Sequence, residues 1–159
     1  MTLVPAQVTV PIPAEMKALS YLVGEWQGTM SMQMPGAPKP QAVKSTVSVK
    51  VFGAYQETVY TMEMPGMGKF TGHSFTKWDP EAKAYKSWTF DDMADAPREE
   101  TGTFDGKKLV MLSAPQGGMV TRISYENKGK DAVGFLIEMK SGDSFAKLGE
   151  CLYKRIAHK

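Results

Sequence analysis

Two copies of one phrase, Met32-Gln33-Met34-Pro35-Gly36 and Met62-Glu63-Met64-Pro65-Gly66, stand 30 residues apart, each closing a run that alternates apolar and polar side chains. Alternation at period two marks a strand with one buried face, and Pro-Gly directly behind it stops the strand in a turn. With one strand running back between the copies, both methionine-bearing turns fall at the same end of an antiparallel sheet.

The rest of the chain repeats the pattern. A short helix is expected over Ala14 to Tyr21, where Pro13 opens a stretch of good helix formers. Ten alternating segments follow: Gly24 to Met34, Gln41 to Phe52, Tyr55 to Met64, Lys69 to Asp79, Ala84 to Asp91, Arg98 to Phe104, Lys107 to Ser113, Met119 to Glu126, Ala132 to Met139 and Ser144 to Arg155. Their short connections imply hairpins, and a meander this long removes its exposed edges by closing on itself. The expected fold is all-β: a single antiparallel up-and-down β-barrel of about ten strands over residues 24–155, preceded by an arm (1–13) and the helix, all in one domain of 159 residues.

Successive connections must alternate between the two ends of such a barrel. One end collects Phe52-Gly53-Ala54, Asp79 to Lys83, Asp105-Gly106 and Asn127 to Lys130, mostly tight polar turns, and reads as closed. Met16, Leu19 and Leu22 of the helical segment are placed to cap it. The other end collects Pro35 to Pro40, Pro65 to Gly68, Asp92 to Pro97, Ala114 to Gly118 and Ser141 to Asp143, rich in Pro, Gly and Met, and reads as a mouth.

A formal net charge of +2 with no block of five or more like charges argues against a nucleic-acid partner. The single cysteine, Cys151, rules out an internal disulfide framework and fits a reducing compartment. Met1 to Pro13 lacks a basic region followed by an apolar one, and no stretch approaches the roughly 20 apolar residues of a membrane span. A cytoplasmic location is therefore expected.

Gly24-Glu25-Trp26-Gln27-Gly28 at the head of the first strand resembles the Gly-x-Trp signature of calycins, the superfamily of lipocalins and fatty-acid-binding proteins. Gly72, Trp78-Asp79-Pro80, Tyr85, Trp88, Gly102, Phe104-Asp105-Gly106-Lys107 and a closing Tyr153-Lys154-Arg155 extend the match to a bacterial lipocalin-like family of unknown function, over Leu19 to Arg155. The resemblance implies a barrel with a small-molecule cavity and supplies no activity. It also implies that Trp26 lies across the closed end with Arg155 of the last strand on its face, a structural closure. Haem binding, known in nitrobindin-type calycins, would need a histidine near the end of the barrel, and Asp143 to Glu150 contains none. No cofactor or metal is expected.

Face assignment then nominates the lining. Trp26, Gly28, Met30 and Met32 share one face of the first strand, and the same parity turns Val43 to Val51, Thr58 to Met64, Met119 to Tyr125 and Val133 to Met139 inward at alternate positions. Parity is ambiguous for the strands around Phe70 to Trp78 and Ala84 to Phe90. The expected ligand-binding set is Met30, Met32, Tyr60, Met62, Met64, Trp88, Met119, Thr121, Ile123, Tyr125 and Phe135. It holds no Arg or Lys, Arg122 being out of phase, so a carboxylate anchor is not expected and a small apolar or neutral molecule is. Among the 12 methionines, Met34, Met64, Met67, Met93 and Met119 map to the mouth, where flexible thioethers adapt to varied apolar surfaces.

Three other readings remain. Thioethers at Met-x-Met spacing suit Cu(I), although no His or Cys is fixed beside them. An enzyme would draw on His73 or on the mouth carboxylates Asp91-Asp92, Asp95 and Glu99-Glu100; His158 sits in the tail, and Cys151 reads as an inert buried thiol. A filled barrel with exposed methionines would instead be an interaction module, with a homodimer as one form.

Overall fold

The computed structural model describes residues 10–34 and 36–157; most of the expected arm, Pro35 and His158 fall outside the described residues. Helix α1 (Ala14–Ala18) tightens into a 3-10 turn (Leu19–Leu22), and ten strands follow: β1 (Gly24–Met32), β2 (Gln41–Phe52), β3 (Tyr55–Met64), β4 (Gly68–Asp79), β5 (Ala84–Asp91), β6 (Arg98–Phe104), β7 (Lys108–Ser113), β8 (Thr121–Asn127), β9 (Ala132–Ser141) and β10 (Ser144–Arg155). Each strand pairs antiparallel with the next, and β10 returns to pair with β1, so the sheet is a closed barrel.

The expected boundaries differ by one to a few residues at several places, three of them for a clear local reason. The α-helix stops at Ala18, because the last turn must deliver the chain into β1; the Val23 N–H bonds Ser20 O at 3.1 Å, and Trp26 Nε1–H donates to Leu22 O at 2.8 Å, satisfying a carbonyl the helix end leaves open. Strand β1 ends at Met32, and the Gln33 amide donates to Ala37 O at 2.9 Å to hold the turn behind it. Met119 is not in β8. It closes a tight turn with Gln116 over Gly117 and Gly118, and β8 begins at Thr121.

Turn chemistry at the closed end follows the sequence. Asp79 Oδ1 accepts the N–H groups of Glu81 and Ala82 at 3.0 and 3.1 Å, and Asp105 Oδ1 those of Lys107 and Lys108 at 2.8 and 2.7 Å. The helical segment plugs this end: Met16, Leu19 and Leu22 are buried, Gln56 Nε2 donates to Leu19 O at 3.0 Å, and the Tyr85 hydroxyl donates to Glu15 O at 2.9 Å. Trp26 lies buried above the plug with the Arg155 guanidinium 4.1 Å from its ring, and Arg155 Nη1 donates to Val23 O at 2.9 Å. Gly24, at φ 140°, makes this approach possible, since a Cβ there would collide with the guanidinium.

Closure therefore rests on a few side chains. Trp26→Ala is expected to destabilise the fold by about 3–5 kcal/mol through the cavity it opens. Arg155→Met is expected to cost about 1–3 kcal/mol through the lost cation–aromatic contact and carbonyl bond. Chemical denaturation reads both, and a loss below 0.5 kcal/mol for Trp26→Ala, the ordinary range of surface changes, would show that the barrel does not depend on this pair.

Candidate functional site

Between the plug and the opposite end, the barrel encloses a cavity of about 180 Å³. It is smaller than the roughly 300–1,000 Å³ of drug-sized sites, so it has room only for a small molecule. A wider depression of about 550 Å³ lies outside, over β8, β9 and β10, among Lys108, Glu126, Lys128 and Glu150. It is an open groove on the barrel wall, and the enclosed interior is the better candidate because it removes a ligand from water.

The cavity has two unlike walls. Met30, Met32, Val47, Ile123, Phe135 and Ile137 form an apolar one, whereas Thr58, Ser74, Thr76, Ser87 and Thr89 give hydroxyls to the other. The hydroxyl wall settles the parity left open for β4 and β5. Burying Trp88 and Phe90 would turn Lys77 and Lys86 inward, and an unpaired buried ammonium costs several kcal/mol, more than the roughly 2 kcal/mol gained per aromatic. The strands take the other face: Lys86 stays outside on Asp79 at 2.8 Å, and Trp78 and Tyr85 pack edge-on inside, 5.0 Å between ring centroids. Trp88 is consequently an outer-surface residue with Lys77 Nζ 5.9 Å from its ring, which corrects its expected place in the lining.

At the mouth side of the hydroxyl wall sits a charged cluster whose carboxylates the sequence named but whose arginine it missed. Arg98 donates through Nε to Glu100 Oε1 at 3.0 Å and through Nη1 to Asp91 Oδ2 at 3.4 Å; the Tyr60 hydroxyl also donates to Asp91 Oδ2, at 3.3 Å. The side chains of Asp91 and Glu100 are 6% and 7% exposed. The expectation of an interior without Arg or Lys is thus overturned by Arg98. The signal was present: counting back from Phe104 and Gly102 at period two puts Glu100 and Arg98 on the inner face of β6. Gly72 prepares the site from β4, because a Cβ there would collide with the Tyr60 ring.

Burial dominates the electrostatics. It pushes the Tyr60 hydroxyl up to about 12, with the Asp91 charge adding to the shift. It also raises Glu100 above the ordinary carboxylate value; the Asp91 charge works in the same direction, and the opposing pull of Arg98 does not cancel it. Tyr125 and Tyr153 are likewise raised, chiefly by burial. Burial pushes the Cys151 thiol up to about 11, which leaves it protonated and unreactive at neutral pH.

The expected site residues divide on inspection. Met30, Met32, Tyr60, Met62, Ile123, Tyr125 and Phe135 line the cavity, with Trp26 at its floor. Met64 is buried but packs into the rim without facing the cavity. Thr121 also misses it: its N–H donates to Ser113 Oγ at 2.9 Å, and its buried Oγ1 has no partner among the described residues. Met119 is 56% exposed in its turn, a correction that follows from the later start of β8. Val51, expected inside, is exposed at the tip of the β2–β3 hairpin, beyond any covering wall. Of the mouth methionines only Met93 borders the cavity. Among the carboxylates considered for catalysis, Asp91 and Glu100 turn inward while Asp92, Asp95 and Glu99 stay exposed. His73 lies on the outer face of β4, bonded to Glu57 at 2.8 Å.

Among the described residues no helix is long and apolar enough to cross a membrane, and no group of three or more His, Cys, Asp or Glu side chains is placed to hold a metal ion. No curated protein matches the chain. A crystal structure of Rv2717c from M. tuberculosis is similar in fold, with a TM-score of 0.69 at 15% identity over 92% of this chain and 100% of that one. The pattern of the family described as "Protein of unknown function (DUF1579)" matches residues 13–146. With the greater part of its length matched, the chain belongs to the DUF1579 family of proteins of unknown function.

Proposed function

We propose that this is a calycin-like binding protein whose barrel holds a small molecule with an apolar body and one polar end. The observation that carries the reading is the division of an enclosed cavity into an apolar wall and a hydroxyl wall with a buried charged cluster at its edge. A core needed only for packing gains nothing from Asp91, Arg98 and Glu100, since ion pairs taken out of water are commonly no more stabilising than apolar side chains of the same volume. Met30, Met32 and Met62, with Tyr60, Ile123, Tyr125 and Phe135, form the binding surface, and the flexible thioethers adjust it to the ligand. Trp26 and Arg155 close the barrel, as the resemblance to calycins implies.

Native mass spectrometry of the purified protein, with titration of a polarity-sensitive dye, tests the reading. One equivalent of dye is expected to bind, and Ile137→Trp, which fills the cavity, is expected to weaken it about 10-fold or more, whereas Met62→Ala, which enlarges it, keeps binding. Absence of both a co-purifying compound and dye binding, or a dye indifferent to Ile137→Trp, would sink it.

Acid–base chemistry on the same molecule is a second reading, favoured by the buried Glu100 carboxyl with its raised proton affinity. It requires that the bound compound be converted by the native protein and not by Glu100→Gln. A further prediction needs no ligand. Because the fold raises the pKa of Glu100, its ionised form is penalised, and stability falls as pH climbs from the ordinary value of 4.5 through the raised one. The melting temperature of Glu100→Gln is therefore expected to gain on the native protein across that range and to show no such gain below pH 4.5; a pH-independent difference would show that Glu100 carries no buried charge.

A further inference from the structure

The polar end of the cavity is unbalanced in charge. Asp91, Arg98 and Glu100 are its charged lining residues, two carboxylates against one guanidinium. Their bonds are unequally used. Asp91 has both oxygens engaged: Oδ2 accepts from Arg98 and Tyr60, and Oδ1 accepts the Met93 N–H at 2.9 Å. Arg98 commits Nε to Glu100 and Nη1 to Asp91. Glu100 accepts through Oε1 alone, and its Oε2 has no partner among the described residues.

Aromatic rings line the same cavity. Tyr125 on β8 is close enough for the Glu100 charge to act on its hydroxyl, and it packs edge-on with Phe135, 5.5 Å between centroids, as Phe135 does with Tyr153 at 5.9 Å. A free carboxylate oxygen in a cavity with aromatic rings in its lining is an environment for a cation. An anionic ligand would bring a third negative group to a guanidinium already held by two, and a neutral one would leave the excess charge uncompensated. We propose that the cavity takes a small primary amine, its ammonium on Glu100 Oε2 and its hydrocarbon body against Met30, Met32 and Ile137.

The inference rests on the small-molecule reading above and gives that ligand its head group. It also makes binding pH-dependent. Glu100 is faced by Arg98 on its own strand, Asp91 and Ser87 on β5, Ser113 on β7 and Tyr125 on β8, with Tyr60 on β3 bonded to Asp91 behind them. Among these groups Arg98 alone opposes a proton on Glu100, and the ammonium competes with that proton. Amine binding is thus expected to strengthen as pH rises through the Glu100 titration.

Calorimetric titration of the full chain with hexylamine, 1-hexanol and hexanoate, three probes with the same body, tests it at pH 5 and pH 8. Hexylamine is expected to bind about 10-fold or more tighter than hexanol at pH 8, with hexanoate weakest and a smaller margin at pH 5. Glu100→Gln is expected to bring the hexylamine-to-hexanol ratio to about one. Hexanol equal to hexylamine, or hexanoate tightest, in the native protein would overturn the amine assignment and leave the small-molecule reading standing. Binding of none of the three, with the dye also refused, would overturn both. The native comparison needs no variant, so a folding defect in Glu100→Gln does not blunt the test.

Discussion

The pairing of β10 with β1 is the constraint on which the rest of this structure depends. An open ten-strand sheet would present two edges and no inside; closure removes the edges and creates an interior that must be filled or occupied. The first and last strands meet with Trp26 opposite Arg155, so one register carries both the ladder and the cation–aromatic contact that seals the floor. The helical plug adds to the same seal through backbone carbonyls, accepting from Gln56, Tyr85 and Trp26. Three strands far apart in sequence are thereby tied to one short segment.

Once the floor is sealed, the two halves of the wall answer to different pressures. In β1, β2, β8 and β9 the apolar residues and the inward parity coincide. In β4 and β5 they conflict, and the exclusion of Lys77 and Lys86 from the interior outweighs the burial of Trp88 and Phe90. Hydroxyls are the acceptable remainder, because serine and threonine bond to neighbours across strands, as Thr76 does to Ser87 at 3.1 Å. The amphipathic cavity is thus a consequence of which residues must stay outside.

The charged cluster follows from the same alternation carried into β6. Its ion pairs do not offset the burial of Glu100, whose proton affinity stays raised beside a guanidinium. That cost is confined to three side chains and Tyr60 at one end of the wall.

Sequence by itself determined the strand number, the antiparallel meander, its closure and the polarity of its two ends, because alternation and turn chemistry are local and repeat ten times in the same sense. It also named the apolar wall, from Met30 and Met32 to Phe135. It misplaced Trp88 and Met119, left out Arg98, and named Glu100 only as one of five mouth carboxylates. Trp88 was decided by competition between lysines on neighbouring strands, Met119 by a glycine pair that delays β8, and the pairing of Arg98 with Asp91 by register across two strands. Those outcomes are non-local: each depends on what stands opposite once the barrel has closed, and only the tertiary structure brings the opposing groups together.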